Sequence, residues 1–173
     1  MAILPIVRVP DPLLKKISKP VNKVDDKLRS FMDDMLETMY AAPGIGLAAI
    51  QVGVPKRVIV IDLSTEEEKK PVYLVNPKII VKSKNNSTYE EGCLSVPGQF
   101  AEVDRPDRCH VSYLDYNGQK KELKTEGLLA TCIQHEMDHL EGILFIDHLS
   151  KLKKNYIVKK LSKQKKVLER IVV

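Results

Sequence analysis

The chain has 173 residues, 43% of them hydrophobic and 29% charged, which suits one globular domain over residues 1–173 with a substantial buried core. No apolar run reaches the roughly 20 residues of a membrane helix. The apolar start, Met1 to Leu14, is broken by Pro5, Arg8, Pro10 and Pro12, and it lacks the basic opening and small-residue cleavage site of a secretory signal. A cytoplasmic protein with no membrane partner is expected. The formal charge of +5 is uneven: residues 149–173 hold eight lysines and Arg170 against Glu169 alone, a net +8, which leaves −3 on the body. Cys93, Cys109 and Cys132 cannot all pair. In a reducing compartment each is a buried small hydrophobe, a nucleophile or a metal ligand.

In chain order, the first strong signal runs from Asp25 to Tyr40. Leu28, Phe31, Met32, Met35, Leu36 and Met39 fall on one helical stripe, and core packing is expected for them. Pro43-Gly44 stops that helix, and Gly44 and Gly46 bracket a turn expected to need unusual backbone freedom. Arg57–Leu63 and Val72–Val75 are β-branched runs that predict strands, separated by a charged loop at Thr65–Lys70. Ile79–Lys82 is a further strand candidate, followed by a polar turn over Ser83–Ser87. Cys109–Asp115 and Gln119–Leu123 flank Asn117-Gly118, a strong hairpin signal.

A second helix is expected from about Glu126 to Glu141, capped by Thr125 and ended by Gly142, with Leu128, Leu129, Cys132, Ile133, Met137 and Leu140 on its buried face. The stretch Leu149–Glu169 keeps a helical apolar pattern (Leu152, Tyr156, Leu161 and Leu168) among lysines. Several short strands without βαβ alternation predict an α+β fold. Short mixed or antiparallel sheets would surround the second helix, with one helix in the N-terminal half and a basic C-terminal helix over 149–173.

The chemistry is concentrated in Gln134-His135-Glu136-Met137-Asp138-His139, a His-Glu-x-x-His pattern. Residues four apart share a helix face, so His135 and His139 can offer two ring nitrogens to one ion. Glu136 lies about 100° round from His135, beside such an ion, where it can take a proton from an activated water. The alternative is a pair of solvated or core histidines. A hydrolytic site also needs a third protein ligand and an open position. The extended metzincin pattern fails here, because Phe145 stands where a third histidine belongs and His148 comes too late. Glu169, the candidate for a thermolysin-like third ligand, lies in the lysine-rich tail. Upstream, Cys93 in Glu91-Gly92-Cys93-Leu94-Ser95 sits between a glycine and Leu94-Ser95 after an expected loop, and its thiolate would complete a Cys-His-His set. Cys109 and Cys132 are read from their surroundings as packing residues.

Gly44-Ile45-Gly46-Leu47-Ala48-Ala49-Ile50-Gln51 is a third segment of interest. No nucleotide-binding context surrounds its glycines, so close approach of a peptide backbone is favoured over a phosphate cradle. Gln51 then supplies a neutral amide donor for an oxyanion. The bland alternative is a glycine turn used for packing.

Together these segments resemble the three signature motifs of the peptide deformylases: GIGLAAIQ (Gly44–Gln51), EGCLS (Glu91–Ser95) and QHEMDHLEG (Gln134–Gly142). The resemblance spans nearly the whole chain and implies removal of the formyl group from the N-terminal formyl-methionine of nascent polypeptides. It implies that Cys93, His135 and His139 bind one divalent ion, Fe2+ in cells, with Zn2+, Ni2+ or Co2+ in preparations. By ligand softness alone the set suits zinc or iron. Glu136 is then base and acid, while the Gln51 amide and the Leu94 backbone N–H hold the formyl oxygen. Ile45, Leu128 and Cys132 would receive the methionine side chain, and backbone near Gly46 would align the peptide. Glu91 and Arg105 match a supporting pair of the family, though a plain surface salt bridge would read the same. Phe100 departs from members that carry arginine at the pocket mouth. The formyl-Met peptide is the implied substrate, and a monomer is favoured.

Two other readings remain. A zinc endopeptidase would cut internal bonds and use a ligand other than Cys93. A binding protein would use its basic tail on RNA or a ribosomal surface, a docking also compatible with the enzyme.

Overall fold

Asp25 opens the first helix. Its carboxylate accepts the backbone N–H of Leu28 at 2.9 Å, so α1 spans Asp26–Ala41 and Leu28, Met32, Met35 and Met39 are buried along one face. The computed structural model describes residues 2–171. After α1 come β1 (Gly46–Ala48), β2 (Val58–Ile61), β3 (Val72–Lys82), β4 (Asn86–Cys93), β5 (Val96–Pro106), β6 (Arg108–Leu114) and β7 (Lys120–Glu126). The helices α2 (Gly127–Leu140) and α3 (Lys151–Ile171) follow, and short 3-10 turns occupy Pro12–Lys15, Ala49–Val52 and Phe145–His148. The α+β expectation holds, with every strand pair antiparallel.

The larger sheet has the order β1-β2-β3-β6-β7, and β4 pairs with β5 as a separate hairpin. All of β2 is buried because both faces are covered: Val58 and Val60 pack under α1, while Ile59 and Ile61 pack under α2. A third cluster joins the inner face of the β4–β5 hairpin, through Val96 and Val103, to Phe145 and to Ile157 and Leu161 of α3. Thus α2 lies between the larger sheet and the hairpin, and the His-Glu-x-x-His motif falls at that junction.

Several sequence expectations are revised. Val72–Val75 and Ile79–Lys82 belong to one strand, continuous through Asn76 (φ 49°) and Pro77 because register shifts absorb the irregularity. Asn86 and Ser87, expected in a turn, begin β4. Thr125 does not cap α2. Glu126 holds the cap position without a side-chain bond, and the buried Thr125 hydroxyl donates instead to the Cys109 carbonyl at 3.1 Å. Leu128 is 44% exposed rather than part of the buried face. In α3 the docked side chains are Ile157 and Leu161, whereas Leu152, Tyr156 and Leu168 stand exposed, a phase set by contact with the hairpin rather than by helical spacing. Gly44 and Gly46 keep ordinary backbone angles.

Among the described residues, no helix is long and apolar enough to cross a membrane. Gly142 closes α2 with a positive φ of 73°, and a Cβ there would collide with the Lys15 carbonyl. Gly142→Ala should therefore lower the unfolding free energy by more than about 1 kcal/mol. An unchanged urea midpoint would contradict this.

Candidate metal centre and cleft

Leu128, Cys132, His135 and His139 recur at helical spacing along the side of α2 opposite Ile133 and Leu140, which pack on the larger sheet. The first three line a cleft of about 560 Å³. His135 and His139 are buried, and Cys93, at the end of β4, faces them. The segment before Cys93, expected to be a loop, is strand β4, which Cys93 ends; only Leu94 and Ser95 separate β4 from β5. One ligand atom each from Cys93, His135 and His139 lies within 4.8 Å of the others.

This set fits a metal ion. The Cys93 Sγ and His139 Nε2 are 3.3 Å apart. Sulfur and nitrogen sharing a tetrahedral ion at typical bond lengths lie roughly 3.5 Å apart. His139 Nδ1 is buried without a hydrogen-bond partner, and burial lowers the ring's pKa, so it stays neutral and able to ligate. Burial also opposes a charged His135, but its contacts with Cys93 and Glu91 hold its pKa up to about 10. The Glu91 carboxylate that helps hold a proton there would equally favour a cation.

Behind the cleft runs a buried chain of charge. His135 Nδ1 meets Glu91 Oε1 at 2.8 Å, which orients the ring. Arg105 grips Glu91 with two bonds of 2.7 and 3.0 Å and donates to Asp138 at 2.8 Å. Asp138 in turn accepts from His148 Nε2 at 2.8 Å, on the surface. Burial disfavours charge on Glu91, yet its bonds from His135 and Arg105 keep its carboxyl below the usual range. The Glu91–Arg105 pair is thus a buried fork, and its geometry excludes the surface-bridge alternative.

Glu136 faces the cleft with Oε1 4.0 Å from His135 Nε2, while Oε2 is buried and unpartnered. Desolvation pushes its pKa up to about 7. A Cβ on Gly46 would lie 2.6 Å from Glu136 Oε1, and one on Gly44 would lie 2.8 Å from Leu94 Cδ1. These glycines make room for Glu136 and Leu94. Gln51 is locked at both ends of its amide: Oε1 accepts from Ala48 N at 2.9 Å, and Nε2 donates to Ser95 Oγ at 3.0 Å and to Cys93 Sγ at 3.4 Å. Ile45, Gly46 and Leu94 line the same cleft, so every residue selected from the sequence reaches this site or its wall.

Ser95, Asp138, Ile6 and Arg8 were not selected. Ser95 and Asp138 lie inside the quoted motifs, as polar neighbours of ligands. Ile6 and Arg8 line the cleft because the N-terminal segment straps across it, with Val7 N on the Gln51 carbonyl (2.7 Å) and Val9 N on the Ser95 carbonyl (2.8 Å). The sequence carries no local signal for that strap.

Two imidazoles one turn apart, an adjoining buried carboxylate and a converging thiol define a metallohydrolase of the His-Glu-x-x-His class. The polypeptide deformylase family model matches residues 3–155. A peptide deformylase of Pelagibacter ubique is 65% identical across the full length of both chains, and one of Phenylobacterium zucineum is 64% identical over 96% of this chain and 99% of its own. The solved peptide deformylase of Ehrlichia chaffeensis, crystallised with actinonin, superposes with a TM-score of 0.91 at 47% identity, covering 95% of this chain and 98% of its own. The chain belongs to the polypeptide deformylase family, metal-dependent hydrolases that remove the formyl group from the N-terminal methionine of nascent peptides.

Arg105→Ala would leave Glu91 and Asp138 facing each other with no cation between them. It should destabilise the fold by about 3 kcal/mol in urea denaturation. A loss below about 1 kcal/mol, the scale of an exposed pair, would contradict the buried-fork assignment.

Proposed function

We propose that the cleft deformylates nascent chains with Cys93, His135 and His139 holding one divalent ion, and with residues 1–173 acting as one catalytic unit. The convergence of the Cys93 sulfur on the two rings of α2 carries this reading. Bound there, such an ion would supply Lewis acidity for a water and for the formyl oxygen. Glu136 takes a proton from that water and passes it to the amide nitrogen as the bond to the formyl carbon breaks, so formate and a free amine leave. Burial, which raises the affinity of the Glu136 carboxylate for a proton, suits a group that must take one and then give it up.

The Gln51 amide and the Leu94 N–H donate to the formyl oxygen as it gains charge. The amide plane of Gln51 is already fixed, so donation to the formyl oxygen needs only one N–H to leave its long 3.4 Å contact with the Cys93 sulfur. Ile45, Leu128 and Cys132 form the apolar seat for methionine, and the Gly46 backbone aligns the peptide as an added strand. Cys132 stays a thiol in this seat, since burial pushes its pKa up to about 12.

Fe2+ is the assigned native ion, on the strength of the family resemblance and a soft-plus-imidazole donor set. Zn2+, Ni2+ and Co2+ are compatible occupants. Activity that decays in air and is retained after nickel substitution supports iron; an air-stable activity tracking zinc content rejects it. The enzyme is assigned to the cytoplasm as a monomer, and its ribosomal contact to the basic face of α3. Removing that helix is not a clean test, because Ile157 and Leu161 are buried in the core. Charge reversal at the exposed Lys163, Lys165 and Lys166 should weaken ribosome pelleting while sparing turnover of small peptides. Undiminished pelleting would defeat the docking assignment.

On formyl-Met peptides, Glu136→Gln should keep its metal by elemental analysis and lose at least about 10²-fold in kcat. Gln51→Ala should lose about 10²–10³-fold. Mass spectrometry separates this activity from an endopeptidase: the product is lighter by carbon monoxide and retains every residue. Internal cleavage, or near-normal turnover by Glu136→Gln, would overturn the assignment.

A further inference from the structure

The cleft does not end at its own mouth. Gln99 and Phe100 also line a second hollow of about 850 Å³, between the outer face of the β4–β5 hairpin and the first turns of α3. Phe100, Leu152 and Tyr156, exposed by 66%, 82% and 66%, all border it. Ile45 and Leu128, also exposed, lie in the cleft on the near side of Phe100. Scattered exposed apolar side chains need no explanation, but a continuous track leading from an active site does.

The strand wall of this groove is acidic. Phe100, Glu102 and Asp104 alternate outward along β5, opposite Gly92, Glu90 and Thr88 of β4. Glu90 and Glu102 are direct cross-strand partners, an unfavourable pairing of like charge, and among the described residues neither forms an ion pair. Among the described residues, Asp104 is met only by the Thr88 hydroxyl. Leu152 and Tyr156 give the facing wall its apolar surface, with the exposed Lys153 beside them.

Resting on the deformylase reading, we propose that this groove extends the substrate site. It receives the segment of the nascent chain that follows the residues held in the cleft, with a basic side chain against Glu102, whose cross-strand partner Glu90 lines the adjoining cleft, and an apolar one against Leu152 and Tyr156. Continuity identifies the occupant. The Phe100 ring covers Gly92, beside Cys93, so one aromatic side chain borders both the reacting end and the groove. The stretch from Phe100 to Asp104 is about 13 Å of strand, the length of roughly four extended residues.

The test compares kcat/KM for formyl-Met-Ala-Ser with that for two nonapeptides sharing those three residues, one continuing with lysine and leucine and the other with glutamate and serine. At low salt the lysine–leucine nonapeptide should exceed the tripeptide by about five-fold and the glutamate–serine one should not. Glu102→Lys should reverse the ranking of the nonapeptides, and Leu152→Ser with Tyr156→Ser should erase the apolar share. Tripeptide turnover should stay unchanged in both variants, since all three side chains are exposed and outside the cleft. Reversal by a charge swap cannot be imitated by misfolding. A flat length profile, or a ranking that survives Glu102→Lys, overturns the proposal. A ranking that depends on enzyme concentration also overturns it, by giving the groove to a second copy. Failure to process formyl-Met-Ala-Ser at all would instead sink the deformylase reading beneath it.

Discussion

Arg105 sits at the one junction on which the rest of the structure depends. It forks onto Glu91 of the hairpin and reaches Asp138 of α2, while Glu91 also holds His135. Burying the Arg105–Glu91 pair is costly, and a well-packed apolar joint of the same size would stabilise the fold as well or better. What the ionic joint supplies is direction: a planar fork and a ring N–H admit few relative positions of β4 and α2. The Cys93 sulfur, two residues beyond Glu91, is thereby brought against rings that lie more than forty residues away in the chain.

The same trade appears closer to the chemistry. Glu136 keeps an oxygen buried and unpartnered, a condition proteins seldom tolerate away from functional sites. Gly46 clears the space that the carboxylate occupies, and the N-terminal strap fixes the backbones of Gln51 and Ser95, so that both ends of the Gln51 amide are held before any substrate arrives. On the proposed mechanism, local stability is given up in favour of donors and acceptors already aimed at a reacting group.

Legibility in the sequence followed the range of the forces involved. The α1 stripe, the Asn117-Gly118 hairpin and the core of α2 were readable because spacing and turn chemistry specify them within a few residues. The β4–β5 hairpin was not, since its inward positions include Glu91 and Arg105 and its turn is the uninformative pair Leu94-Ser95. Charged residues pointing inward erase the alternation that announces a strand. In α3, spacing alone could not distinguish docked Ile157 and Leu161 from exposed Leu152 and Tyr156, because the choice is made by the hairpin. The candidate metal ligands were legible as residue types in motifs, whereas the contacts of Ser95 and Asp138 reach across 44 and 33 positions.

The central claim concerns coordination, and X-ray absorption at the metal edge of the loaded protein addresses it directly. One sulfur at the distance of a metal–thiolate bond, about 2.3 Å for zinc, together with two imidazole nitrogens is the expected first shell. A shell of nitrogen and oxygen alone, with Cys93 still freely reactive toward alkylating agents, would contradict it.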